Sequence, residues 1–122
     1  MTARVLIVDD SSLARRRARG ILESAGYDVV EAEDGMTALE RYFVDKPDIV
    51  LLDLVMRGMY GLEVLSKLRE LDPEVRVIVV SADVQTSSRD LVAGAGAAGF
   101  LVKPLDEAAA LDLVRTTLGE RG

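Results

Sequence analysis

The chain of 122 residues has no cysteine, no histidine and no tryptophan. Without cysteine there is neither a disulfide framework nor a thiolate metal site. Without histidine there is no Ser-His or Cys-His catalytic pair, no imidazole-bound zinc, and no phosphohistidine formed on this chain. An excess of positive charge is also missing: 21 acidic residues against 15 basic ones leave a net charge of -6, which repels a nucleic-acid backbone. Long hydrophobic runs are absent too. The longest mostly apolar stretch, from Leu91 to Val102, is broken by Gly94, Gly96 and Gly99 and falls well short of the roughly 20 residues a membrane span needs. The opening Met1-Thr2-Ala3-Arg4 passes into a strand-like stretch without a signal-peptide pattern. What remains is 49% apolar and 30% charged residues, which fits a single soluble, cytoplasmic domain spanning residues 1–122.

Short apolar runs alternate with longer amphipathic segments. Arg4–Val8, Asp28–Ala32, Asp48–Leu52, Val75–Val80 and Gly99–Val102 read as strands. Most lack a polar alternation, as strands covered on both faces do. Between them, apolar residues recur at helical spacing. Ser11 or Ser12, Asp34 and Asp106 stand where N-caps belong, and Gly26, Pro47 and Pro73 stand where helices stop. Alternating strands and helices predict an α/β fold, a doubly wound parallel sheet of five strands with five helices on its two faces. In such a sheet, ligands bind beyond the carboxyl ends of the strands, where the strand order reverses.

Just past those ends lie Asp9-Asp10, Asp53, Ser81-Ala82 and Lys103-Pro104. Taken singly, each is as readily a turn, a cap or a surface loop. Taken together they place three carboxylates, a hydroxyl and an ammonium on one edge. Clustered carboxylates repel one another, and a hard divalent cation such as Mg2+ (or Mn2+) relieves that repulsion through oxygen ligands. A carboxylate nucleophile beside a metal and a lysine suits phosphoryl transfer, and a serine hydroxyl adds a hydrogen bond to the phosphoryl oxygens.

Four stretches, Val5–Asp10, Asp48–Leu54, Val77–Ala82 and Gly94–Pro104, follow in order over nearly the whole chain. In them the sequence resembles the receiver domains of bacterial two-component response regulators, particularly the single-domain chemotaxis type. The resemblance implies a flavodoxin-like fold with strand order 2-1-3-4-5, an order belonging to that family rather than read from these residues. It implies that Asp53 is the phosphoacceptor, forming a 4-aspartylphosphate. Asp10, Asp53 and the backbone carbonyl of Val55 would hold Mg2+, with Asp9 acting mainly through a metal-bound water. Lys103 would pair with the carboxylate or phosphoryl group. Ser81 and Phe100 would be the switch pair, with the small Ala82 leaving room for the aromatic ring to move. The Lys103-Pro104 bond is commonly cis in the family. The implied partners are a histidine kinase or histidine phosphotransfer protein and a downstream effector, with no direct role for nucleic acid or membrane. The chain would be a monomer, with dimerisation on phosphorylation left open, and would catalyse only its own phosphorylation and dephosphorylation.

The sequence departs from the family after Asp53, where Met56 is followed by Arg57 instead of proline. Val55 and Asp83 occupy positions flanking the route of the attacking water in the family. Phe100 lacks the hydroxyl a tyrosine would use to hold an outward position. The basic cluster Arg15, Arg16, Arg17 and Arg19 is either a solvated helix face or a docking surface. Arg15 and Arg19 are like charges one turn apart, an unfavourable spacing without a partner, and a docking role for them follows from their closeness to Asp9-Asp10. A binding-only pseudo-receiver has no chemical need for Asp9, Asp10, Asp53, Ser81 and Lys103 together. A phosphatase of the aspartyl-phosphate type wants an acid two residues after its nucleophile, where this chain has Val55.

Overall fold

The computed structural model describes residues 2–56, 60–82 and 86–119, with residues 86–88 described in backbone only. Along the chain run β1 (Arg4–Val8), α1 (Ser12–Ser24), β2 (Asp28–Ala32), α2 (Gly35–Asp45), β3 (Ile49–Asp53), α3 (Gly61–Leu71), β4 (Val77–Ser81), α4 (Thr86–Gly94), β5 (Gly99–Val102) and α5 (Glu107–Leu118). The strands pair in parallel in the order β2-β1-β3-β4-β5. Fold class and strand order are those anticipated.

Side chains alternate between the two faces of each strand, and both faces are covered. Val5 and Ile7 of β1, Ile49 and Leu51 of β3, and Ile78 and Val80 of β4 face Ala18, Ile21 and Leu22 of α1 and Ala110 and Val114 of α5. Leu6 and Val8, Val50 and Leu52, and Val77 and Val79 face Ala38 of α2, Val64, Leu65 and Leu68 of α3, and Val92 of α4. Each such aliphatic side chain, fully buried, stabilises the fold by about 1.5–3 kcal/mol before chain entropy is counted. This two-sided burial explains why β1, β3 and β4 carry no polar alternation.

Three helices, α1, α2 and α5, begin where the sequence marks them. The side chains of Ser11, Asp34 and Asp106 accept the backbone N–H of Ala14, Thr37 and Ala109, satisfying donors that would otherwise be orphaned. Two strand starts move. Asp48 stands outside β3, because its carboxylate accepts the Arg4 N–H at 2.7 Å while its own N–H donates to the Arg4 carbonyl at 2.8 Å. Val75 stands before β4, tied by its N–H to the Asp72 carbonyl at 3.0 Å. Both strands also end one residue later than expected, on Asp53 and Ser81, which pair with Val80 and Val102. Asp53 and Ser81 are therefore held by the sheet itself. Among the described residues, no helix is long and apolar enough to cross a membrane.

Candidate functional site

β1 and β3 are neighbours at the point where the strand order reverses. Their tips carry Asp9-Asp10 and Asp53, and one carboxylate oxygen from each of the three lies within 4.8 Å of the others. Asp9 and Asp53 are buried and Asp10 is partly exposed. Lys103, just past β5, closes the group: its Nζ lies 2.7 Å from Asp9 Oδ2 and 3.4 Å from Asp53 Oδ2. The Lys103-Pro104 peptide is cis. The Lys103 N–H donates to the Ser81 carbonyl at 2.8 Å, tying the lysine to the end of β4.

Burial pushes the Asp53 carboxyl above its usual range, and the Asp9 charge adds to this; Lys103 only partly opposes them. Lys103 is also partly buried, which disfavours its charge, yet its hydrogen bond to Asp9 and the charge of Asp53 outweigh this and raise its pKa. The cluster thus combines a hard-oxygen donor set with negative charge that Lys103 only partly relieves. That is the chemistry a small divalent cation fits, and Asp9, Asp10 and Asp53 are the residues that could hold one.

Backbone packing holds the Asp53 turn in place. The Val55 N–H makes a long contact of 3.5 Å to Asp53 Oδ1, and the Val55 side chain is exposed. The Gly61 N–H donates to the Leu54 carbonyl at 2.8 Å. A Cβ on Gly61 would lie 2.6 Å from the Asp53 carbonyl oxygen, so only glycine lets α3 start this close to the site. Beside the acidic cluster, an open groove of about 630 Å³ runs between α1 and the segment after β5; Leu13, Ala14, Arg17, Pro104 and Leu105 are among its walls.

The structure brings together Asp9, Asp10, Asp53 and Lys103, with Ser81 buried at the adjoining strand end. Ala82 lies exposed at the rim of the groove. Phe100 is farther away, half-buried on the α2–α4 face of the sheet with the Arg89 guanidinium 5.1 Å from its ring centroid. Arg57 and Asp83 lie outside the described residues. The partner that the spacing of Arg15 and Arg19 calls for is present within the chain. Arg15 Nε and Arg19 Nε each donate to one oxygen of Glu31, at 3.0 and 2.6 Å. Glu31 and Gly61 are the site-supporting residues that motif reading missed. The unfavourable spacing of the two arginines was the one signal pointing toward Glu31.

The sequence profile described as response regulator receiver domain matches residues 5–115. The chain is 38% identical over 119 residues to the chemotaxis protein CheY of Bacillus subtilis, covering 97% of this chain and 99% of that protein. It is 41% identical over 105 residues to the chemotaxis protein CheY of Thermotoga maritima, covering 85% and 88% respectively. Its structure matches a chain in the crystal structure of the CheX-CheY-BeF3-Mg+2 complex from Borrelia burgdorferi with a TM-score of 0.88 and 37% identity, over 93% of this chain and 87% of that one. With an acidic cluster and a lysine gathered at the switch point of a 2-1-3-4-5 sheet, and with likeness of this extent in sequence and structure, the chain belongs to the response regulator receiver family.

Proposed function

We propose that the chain is a phosphoacceptor switch in which Asp53 takes a phosphoryl group, in a Mg2+-dependent reaction, from a phosphohistidine on a kinase or phosphotransfer protein. The observation that carries this reading is the placement of Asp53: buried at a strand tip, 3.4 Å from Lys103 Nζ and within a three-carboxylate cluster. A carboxylate oxygen of Asp53 forms the new P–O bond as the P–N bond to the partner's imidazole breaks. The imidazole leaves with the bonding pair and gains a proton. Mg2+, when bound, supplies positive charge against the phosphoryl oxygens. Lys103 supplies a second cation already anchored by Asp9, and Ser81 supplies a hydroxyl for a phosphoryl oxygen. The reaction modifies the chain itself, so no separate substrate is turned over. The added charge biases Ser81 and Phe100, and the surface of α4, β5 and α5 carries the change to an effector.

The BeF3 and Mg2+ named in the Borrelia complex suggest the test. Beryllofluoride with Mg2+ is expected to shift the backbone NMR signals of β4, α4 and β5 in the wild type and to leave Asp53→Asn unchanged. Labelling by acetyl phosphate should likewise vanish in Asp53→Asn. Equal spectral change in both proteins, or undiminished labelling of the variant, would remove Asp53 from this role.

A further inference from the structure

Asp9 is held at each of its polar atoms. Its N–H donates to the Ala32 carbonyl at 3.1 Å, Oδ1 accepts the Ser11 N–H at 2.9 Å, and Oδ2 accepts Lys103 Nζ at 2.7 Å. Its carbonyl oxygen accepts Arg15 Nη1 at 2.6 Å. That carbonyl belongs to the rigid peptide joining Asp9 to Asp10, so the bond fixes the plane from which the Asp10 side chain departs. Arg15 is aimed in turn. Its Nε donates to Glu31 Oε1 at 3.0 Å, Glu31 Oε2 accepts Arg19 Nε at 2.6 Å, and Arg19 Nη1 reaches Glu23 Oε2 at 2.9 Å. The Arg15 side chain is 15% exposed, and Glu31 lies on β2 in register with Ile7 of β1, so the pair is built into the sheet edge beside the acidic cluster. Although burial opposes the Glu31 charge, the hydrogen bonds from Arg19 and Arg15 hold its carboxyl below the usual range and keep the clamp ionic.

We propose that Arg15, aimed by Glu31, is the positioning residue of the acidic cluster: it holds the Asp9–Asp10 peptide so that the Asp10 carboxylate is preset against Asp53, and this raises the affinity for a divalent cation. The inference deepens the reading of the cluster as a Mg2+ site and rests on it. Two physical effects of Arg15 oppose each other. As a bare positive charge it repels Mg2+, so a charge effect alone predicts tighter binding when it is removed. As a clamp it predicts weaker binding. Glu31 cancels much of the charge and leaves the clamp, which decides the sign.

The test is a calorimetric Mg2+ titration of the wild type, Arg15→Met, Glu31→Gln and Arg19→Met, with the backbone NMR spectrum of each metal-free protein. Arg15→Met and Glu31→Gln are expected to raise the Mg2+ Kd roughly tenfold, the lower end of the loss seen when an outer partner of a metal ligand is removed. Arg19→Met, acting only through Glu31, is expected to do less. In the metal-free spectra, the Asp10 amide should move in Arg15→Met and Glu31→Gln. A folded Arg15→Met that binds Mg2+ as well as the wild type or better, or an unmoved Asp10 amide, overturns the proposal. Should Arg15→Met fail to fold, the Asp10 amide in Glu31→Gln decides, because that variant also strips the charge offsetting Arg15 and its Mg2+ affinity falls under either effect. A wild type that takes up no Mg2+ sinks the metal-site reading instead, and the Asp10 amide still judges the clamp.

Discussion

At the scale of single residues, chemistry and packing constrain different positions. In the proposed reaction Asp53 and Lys103 are set by chemistry: Asp53 is buried, Lys103 is partly buried, and each lies against an opposite charge. Gly61 is set by what it lacks. Its N–H reaches the Leu54 carbonyl at 2.8 Å, and an added Cβ would meet the Asp53 carbonyl oxygen at 2.6 Å and Leu54 Cα at 2.7 Å. These neighbours are backbone atoms, so no rotamer change can relieve the clash. Gly61→Ala is therefore expected to lower stability by about 1–3 kcal/mol, the usual range for forced overpacking. It should also move the turn after Asp53. Urea unfolding measures the first effect, and acetyl-phosphate labelling of Asp53, expected to slow, measures the second. A variant unchanged in both would mean that the approach of α3 does not fix the acceptor.

At the scale of elements, the sequence is most legible where one residue type does one local job. Ser11, Asp34 and Asp106 each close a helix with a side-chain bond to a backbone N–H. Boundaries are less legible where a long-range partner decides them, as Arg4 does for Asp48. α3 begins after Tyr60 with no side-chain cap, so no local signal marks its start. β5 raises a further point. Phe100 has no hydroxyl to anchor it, but the Arg89 guanidinium of α4 sits 5.1 Å from its ring centroid. A partly exposed cation–π contact is worth about 0.5–1 kcal/mol, a population shift of about 2- to 5-fold. Arg89→Ala is expected to shift the side-chain equilibrium of Phe100 by that factor, read from a fluorinated phenylalanine by 19F NMR, with Arg89→Lys retaining part of the hold. An identical spectrum in Arg89→Ala would assign Phe100 to packing alone.

At the scale of the whole molecule, the acidic site was legible because a parallel sheet gathers strand tips that are far apart in the sequence. Asp9, Asp53 and Lys103 gain meaning only once β1, β3 and β5 are aligned. The clamp of Glu31 on Arg15 and Arg19 was not legible, because pairing a β2 carboxylate with two α1 guanidinium groups depends on rotamers and register that no motif encodes. The same gathering of charge governs how the metal-free fold responds to pH. Burial and Asp9 raise the Asp53 carboxyl above its ordinary 3.8. Between that raised value and 3.8 the folded chain binds a proton that the unfolded chain does not, so stability increases as pH falls through this window. Three other carboxyls act in the opposite sense. Glu31 is lowered from 4.5, because its arginine bonds outweigh its burial; Asp34 is lowered from 3.8 by the Thr37 N–H, and Asp72 from 3.8 by the Tyr42 hydroxyl. Their contribution is complete above those ordinary values and disappears as pH falls below them through the folded ones. The metal-free protein should therefore be most stable on the acid side of neutrality, with a decline below about pH 4. Asp53→Asn removes only the first limb: it should be more stable than the wild type at neutral pH, lose the rise toward acid, and keep the acid decline. Urea midpoints across this range measure all three. A wild-type curve with no rise, or a variant that retains it, would show that the charge of Asp53 is not what strains the unliganded site.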